Sequence, residues 1–217
     1  MAESHMLDFG GPVHVMDHGG SGQPILLVHG LGGSHVNWSA VADSLAEVGA
    51  VSAIDLIGFG RTPPDGRTAA VEEQVDLVVR YLAATHDEPA ILVGNSMGGL
   101  VSMLVAQAAP ELVRSLVLVD PALPMIRPTF DLDVAKSLLG PLIPALGRKR
   151  FADAAAHPER YVDEVFSVVC ADPSRVAAAD RAKAVEMAKE RAEMPWVAAS
   201  FAQAASCLLY TSDAADD

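Results

Sequence analysis

The chain has 217 residues, 51% of them hydrophobic and 20% charged. That balance excludes a disordered or collagen-like chain, and the length suits one domain, or one domain with a small insert, around a real core. Fifteen Lys and Arg against 28 Asp and Glu give a formal charge of −13, which repels phosphate backbones and anionic membranes, so neither nucleic acid nor membrane is an expected partner.

The N-terminus, beginning Met1-Ala2-Glu3-Ser4-His5, has no basic start and no apolar stretch, so no secretory signal is read there. Val13–Met16 and Ile25–Val28 are short apolar runs around Gly19-Gly20-Ser21-Gly22, which predicts two strands joined by a turn. Trp38, Val41, Leu45 and Val48 have helical spacing and end at Gly49, predicting one helix. Ala50–Ile54 reads as a third strand, and Pro63-Pro64-Asp65-Gly66 breaks the chain. Val71, Val75, Val78 and Leu82 mark a second helix, Ile91–Val93 another strand, and Leu100, Val101, Leu104 and Val105 a third, buried helix. Ser115–Val119 is a further strand. Strands that are continuous apolar runs alternating with helices predict an α/β fold, a mostly parallel sheet covered by helices on both faces. Ligands then bind at the edge holding the strand C-termini.

After Asp120-Pro121 the strand-like runs stop. Alanine, charge and helical spacing dominate to about residue 205, with breaks at Pro141, Pro144, Pro158, Pro173 and Pro195. This predicts a helical lid. The run Asp180–Glu193 alternates charge at helical spacing and reads as a solvated face; Met125, Met187, Met194, Trp196 and Phe201 are core or cavity residues of the lid. The final eleven residues, Cys207 to Asp217, match one reading frame of a transposase mosaic-end sequencing adapter. The expected division is therefore 1–123 as the N-terminal part of a core, 124–206 as the lid and 207–217 as a non-native tail. Cys170 and Cys207 are the only cysteines. They form neither a disulfide framework nor a zinc spacing, so a cytoplasmic protein without metal or cofactor is expected.

Gly94-Asn95-Ser96-Met97-Gly98 follows a strand and precedes a helix. It satisfies G-x-S-x-G in the context the motif requires. A turn sharp enough to expose the serine strains its backbone, and the crowding is relieved only where the residues two before and two after are small, here Gly94 and Gly98. Ser96 would stand over a helix N-terminus, whose field favours negative charge. His29-Gly30-Leu31-Gly32-Gly33 also follows a strand. Its glycines, Gly30 included, allow backbone N–H groups to face a cleft, where those of Leu31 and Met97 can hold an oxyanion. Neither loop satisfies a phosphate-binding motif.

With the run Asp55-Leu56-Ile57-Gly58-Phe59-Gly60-Arg61-Thr62 and Leu116-Val117-Leu118-Val119-Asp120-Pro121, these motifs resemble the α/β-hydrolase family over residues 9–123. The resemblance implies a serine nucleophile, Ser96, that hydrolyses a carboxylic ester or a related acyl or C–C bond of a small molecule, with Leu31 and Met97 as the oxyanion hole and no cofactor. Serine at the elbow argues against the branches that use aspartate there, and Gly-Asn-Ser-Met-Gly-Gly resembles some hydrolases of aromatic ring-cleavage products. The family order is serine, acid, histidine. The last two fall beyond the lid, so this form is expected to be truncated and inactive. Of the histidines present, His29 is expected to shape its loop, His35 to lie on the surface at a helix entry, with a place in the pocket lining as the alternative, and His5, His14, His18, His86 and His157 to be surface or turn residues. Asp55 is expected to stabilise a loop. Asp120 is the fallback acid, with a capping role preferred. The strand 115–119 is expected to form a bare apolar edge that lowers solubility. An acyltransferase and a ligand-binding receptor on the same scaffold are the alternatives.

Overall fold

Strands β1 (Glu3–Asp8), β2 (Pro12–Gly19), β3 (Pro24–Val28), β4 (Ala50–Ile54), β5 (Ala90–Asn95) and β6 (Val113–Val119) form one sheet in the order β1-β2-β4-β3-β5-β6. The computed structural model describes residues 2–123 and 152–210, the side chains of 209 and 210 excepted. The β1/β2 and β2/β4 pairs are antiparallel, and the other three pairs are parallel. Between them run α1 (Ala42–Leu45), α2 (Val71–Thr85) and α3 (Met97–Ala108), and after β6 come α4 (Pro158–Val169), α5 (Ala178–Ala192) and α6 (Val197–Tyr210).

β3 explains why the central strands are apolar throughout. Leu26 and Val28 join α2 and α3 residues such as Leu77, Leu82, Val101 and Val105 in one core, while Ile25 and Leu27 join Trp38, Ala42, Val51 and Val93 in the other. A strand buried on both faces has no polar side to present. Val28 lies opposite Gly94, and Gly94 opposite Leu118, so three parallel strands end level with one another. The segments starting at residues 29, 96 and 120 therefore share one edge, as a parallel sheet requires.

Two readings change. The single helix expected over Trp38–Val48 is instead a 3-10 turn, His35–Trp38, followed by the four-residue α1. Ser34 and Asn37 form a capping box at its start, and i→i+3 bonds such as Ser39 N–H to Val36 O carry the chain round a corner between the two pieces. β1 has no counterpart in the sequence reading, because its polar residues give no apolar run; it is specified by its pairing with β2 from Glu3↔Asp17 to Asp8↔Pro12. Pro141, Pro144 and Met125 of the expected lid, and positions 211–217 of the expected tail, lie outside the described residues.

Two edges of this architecture matter later. Among the described residues β6 pairs only with β5, and Val117, Leu118 and Val119 are 48%, 37% and 42% exposed. Helix α6 crosses position 206 without interruption, and Cys207 packs half-buried against the main core. Among the described residues no helix is long and apolar enough to cross a membrane.

Candidate active site

Ser96 has φ +51° and ψ −118° at the junction of β5 and α3. A side chain at positive φ crowds its own backbone, so this geometry persists only where the surroundings impose it. They do so by hydrogen bonds. The Ser96 N–H donates to Val119 O at 3.0 Å, and its carbonyl accepts from Gly99 N–H at 2.9 Å and Ala122 N–H at 2.9 Å. The β6 end and the residues after it thus brace the turn from one side.

The glycines brace it sterically. A Cβ on Gly94 would fall on the Gly98 carbonyl oxygen, and one on Gly98 would fall on the Val28 carbonyl oxygen. From the other loop, a Cβ on Gly30 would stand 3.1 Å from the Ser96 Cβ and 3.0 Å from Asn95 Oδ1. The structure therefore brings the His29–Gly33 loop against the serine. Leu31 is half-buried, and Met97 is buried at the first position of α3. Among the described residues neither the Leu31 nor the Met97 N–H donates a hydrogen bond to the protein.

His29 is fully buried, and both of its ring nitrogens are occupied. Nε2 accepts the Leu56 N–H at 3.0 Å, which leaves the proton on Nδ1, 2.8 Å from Gly30 O. Burial pushes its pKa down, against the Asp55 charge, which raises it. A neutral imidazole with no free nitrogen shapes the loop and does not move protons. Among the described residues no histidine ring is hydrogen-bonded to the Ser96 hydroxyl.

The reading of His14 and His35 as surface residues is overturned. Both are buried, at 1% and 6% exposure, with Nδ1 2.8 and 2.9 Å from Asp55 Oδ2. Asp55 also accepts the backbone N–H of His35 at 2.6 Å and of Arg61 at 2.9 Å. Burial alone raises such a carboxyl, but the His14 and His35 hydrogen bonds outweigh it and hold Asp55 far below the usual carboxylate range. This one carboxylate ties β2, the turn after β3 and the loop after β4 together, as expected of a loop stabiliser. The donor atoms of His14, His35 and Asp55 lie within 4.8 Å of one another, the spacing of a metal-ligand set. Yet both imidazoles already aim Nδ1 at one carboxylate oxygen, and the arrangement is complete as a hydrogen-bond hub. Asp120 is exposed, at φ +45°, between the two residues that brace Ser96.

The later helices are fastened beside this edge. The Arg61 guanidinium grips Glu190 of α5 through Nε at 2.8 Å and Nη2 at 2.7 Å, and Ser39 Oγ donates to Asp180 Oδ1 at 2.9 Å. From α6, Gln203 Oε1 accepts the Ala69 N–H at 2.8 Å, and the Phe201 ring lies 3.1 Å from where a Gly32 Cβ would be. Sequence reading missed these links because each joins residues more than a hundred positions apart.

A family model described as alpha/beta hydrolase fold matches residues 23–195. The chain is 35% identical over 158 residues to the 2-hydroxy-6-oxo-6-(2'-aminophenyl)hexa-2,4-dienoic acid hydrolase of Metapseudomonas resinovorans, which covers 65% of the chain and 53% of that protein. It is 38% identical over 103 residues to the dihydrolipoyllysine-residue acetyltransferase component of the acetoin cleaving system of Cupriavidus necator, covering 48% of the chain and 28% of that protein. The chain spans about half the length, or less, of these curated relatives. A solved putative epoxide hydrolase from Pseudomonas aeruginosa superposes with a TM-score of 0.78 at 22% identity, over 99% of this chain and 72% of the other, a likeness of fold. The chain belongs to the alpha/beta hydrolase fold family.

Proposed function

We propose that the intact protein is a serine hydrolase that cleaves a carboxylic ester, or a related acyl or C–C bond, of a small molecule. The observation that carries this reading is Ser96, held at positive φ by glycines that admit no Cβ, beside two amides with no acceptor in the described protein. The Ser96 Oγ adds to the substrate carbonyl while its proton passes to a histidine. The negative oxygen so formed is received by the Leu31 and Met97 N–H groups at the positive end of α3. Collapse of that intermediate expels the leaving group with the same proton, and water then repeats the sequence on the acyl-enzyme. The histidine and its acid come from polypeptide following residue 206, where the adapter-like residues 207–217 stand in this chain. His29 is excluded from that role by its two occupied nitrogens. The helices after β6 serve as the lid.

The hydrolase of a dienoic acid among the relatives supports this reading, including its C–C branch. The acetyltransferase relative favours a second one, transfer of the acyl group to an acceptor other than water. A fluorophosphonate probe tests the nucleophile. In protein carrying its natural C-terminal continuation, the probe should label the Ser96 peptide, and Ser96→Ala should abolish labelling. An unlabelled, well-folded protein would favour a receptor.

A further inference from the structure

His35 has a ring nitrogen that the Asp55 hub does not use. Its Nδ1 is turned to the carboxylate, 2.9 Å from Oδ2. An imidazole that donates its Nδ1 proton there carries a lone pair on Nε2, at the far side of the ring. Among the described residues Nε2 has no hydrogen-bond partner. It is also not one of the unpartnered atoms sealed from solvent, which are His18 Nε2, Trp38 Nε1, His86 Nε2 and Trp196 Nε1. Only 7% of the His35 side chain is exposed, so its opening is the cavity that it lines.

That cavity, of about 420 Å³, lies between the core and α5 and has the size of a small-molecule pocket. Met16 of β2 and Val36 of the 3-10 turn wall one side, and Ala182 and Met187 of α5 the other. The charged groups around it are committed to one another or to neighbours: Arg61 to Glu190, Lys183 to Asp180 and Glu186 to Lys189. His18 reaches it too, with Nδ1 3.4 Å from Asp43 Oδ1 and Nε2 sealed by packing. What remains is an apolar space with one unpaired acceptor, whose orientation a buried carboxylate fixes. Among the described residues, none of the 29–33 loop or of the elbow 94–98 lines it.

We propose that this cavity is a second small-molecule site, which takes a neutral molecule of about phenol size whose apolar body carries one hydroxyl donating to His35 Nε2. The lone pair decides the class. An anion would face it together with Glu186 and Glu190, and a plain hydrocarbon would strip it of water without replacing the hydrogen bond. A hydroxyl satisfies it. The occupant touches β2 and α5 at once, so it holds α5 to the core beside the Arg61–Glu190 and Ser39–Asp180 contacts. Binding requires no residue of the Ser96 site, so the inference stands apart from the serine hydrolase reading.

Isothermal titration of the 217-residue chain with 4-ethylphenol and with ethylbenzene tests this. A dry apolar hole prefers the hydrocarbon, because a hydroxyl entering it gives up water for nothing. Here 4-ethylphenol should bind about 3- to 10-fold more tightly than ethylbenzene. Ala182→Trp, whose ring enters the cavity from an exposed position on α5, should remove the binding of both without lowering the thermal midpoint. His35→Leu should reverse the preference; it also takes a partner from Asp55, so where it fails to fold, the preference of the parent and the effect of Ala182→Trp decide. A preference for ethylbenzene, no binding of either probe at millimolar concentration, binding that survives Ala182→Trp, or a phenol preference that survives in folded His35→Leu would each overturn the assignment.

Discussion

Asp55 accepts from His35 twice, through the backbone N–H at 2.6 Å and the ring Nδ1 at 2.9 Å. The same carboxylate accepts from His14 and from the Arg61 N–H. Replacing it by an amide that offers one acceptor oxygen and two competing donors leaves buried N–H groups unpaired. Asp55→Asn should therefore lower stability by about 3 kcal/mol, read as a shift in the urea midpoint at constant slope.

The acid limb of stability follows from the same carboxylate. Its folded-state pKa is depressed, so its contribution is complete above the unfolded value of about 3.9 and is lost as pH falls below that toward the folded value. His29 contributes in a different window. Its folded pKa is also lowered, but for a base this means the unfolded chain takes up the proton first, so stability declines as pH falls through about 6.5. Denaturation from pH 8 to 3 should show both slopes. Asp55→Asn should flatten the lower one and carry the upper one to lower pH, because the Asp55 charge that raises the His29 pKa is gone.

Ser96 holds a conformation that favours glycine. Ser96→Gly should raise stability by about 1 kcal/mol by relieving this strain, while removing the nucleophile. Gly98→Ala should do the opposite, because its Cβ meets the Val28 carbonyl; a loss of about 1–3 kcal/mol is expected. Thermal midpoints of the two variants measured together provide the check. A Ser96→Gly variant less stable than its parent would show that the elbow is not strained.

Among the described residues the outer edge of β6 has no pairing partner, and Val117, Leu118 and Val119 are exposed along it. Such an edge pairs with another copy. This 217-residue form should associate with increasing concentration in sedimentation velocity, and Val117→Lys should shift it toward monomer. A chain that stays monomeric at high concentration would contradict this.

The elbow was legible because its chemistry is local. Gly94, Ser96 and Gly98 sit within five positions, and the strand and helix around them announce themselves by hydropathy. The buried hub was not legible in the same way. His14 and His35 meet Asp55 across 41 and 20 positions, and nothing near either histidine distinguishes it from a surface residue. The Glu190 anchor was hidden differently, inside a charge run that reads as a solvated face. That reading suits Arg181 and Lys189, which bond to exposed carboxylates, and fails at Asp180 and Glu190, which Ser39 and Arg61 reach from the core. The break between Trp38 and Ala42 was missed because apolar spacing continues through a corner that capping and 3-10 bonds create.

The most direct test of the account is the mass of the protein, in a form carrying its natural C-terminal continuation, after mixing with a slowly hydrolysed p-nitrophenyl ester. The account predicts one equivalent of p-nitrophenolate released in a burst and one acyl group on the peptide containing Ser96, absent in Ser96→Ala. Steady turnover with no acyl group on that peptide, or acylation that persists in Ser96→Ala, would contradict it.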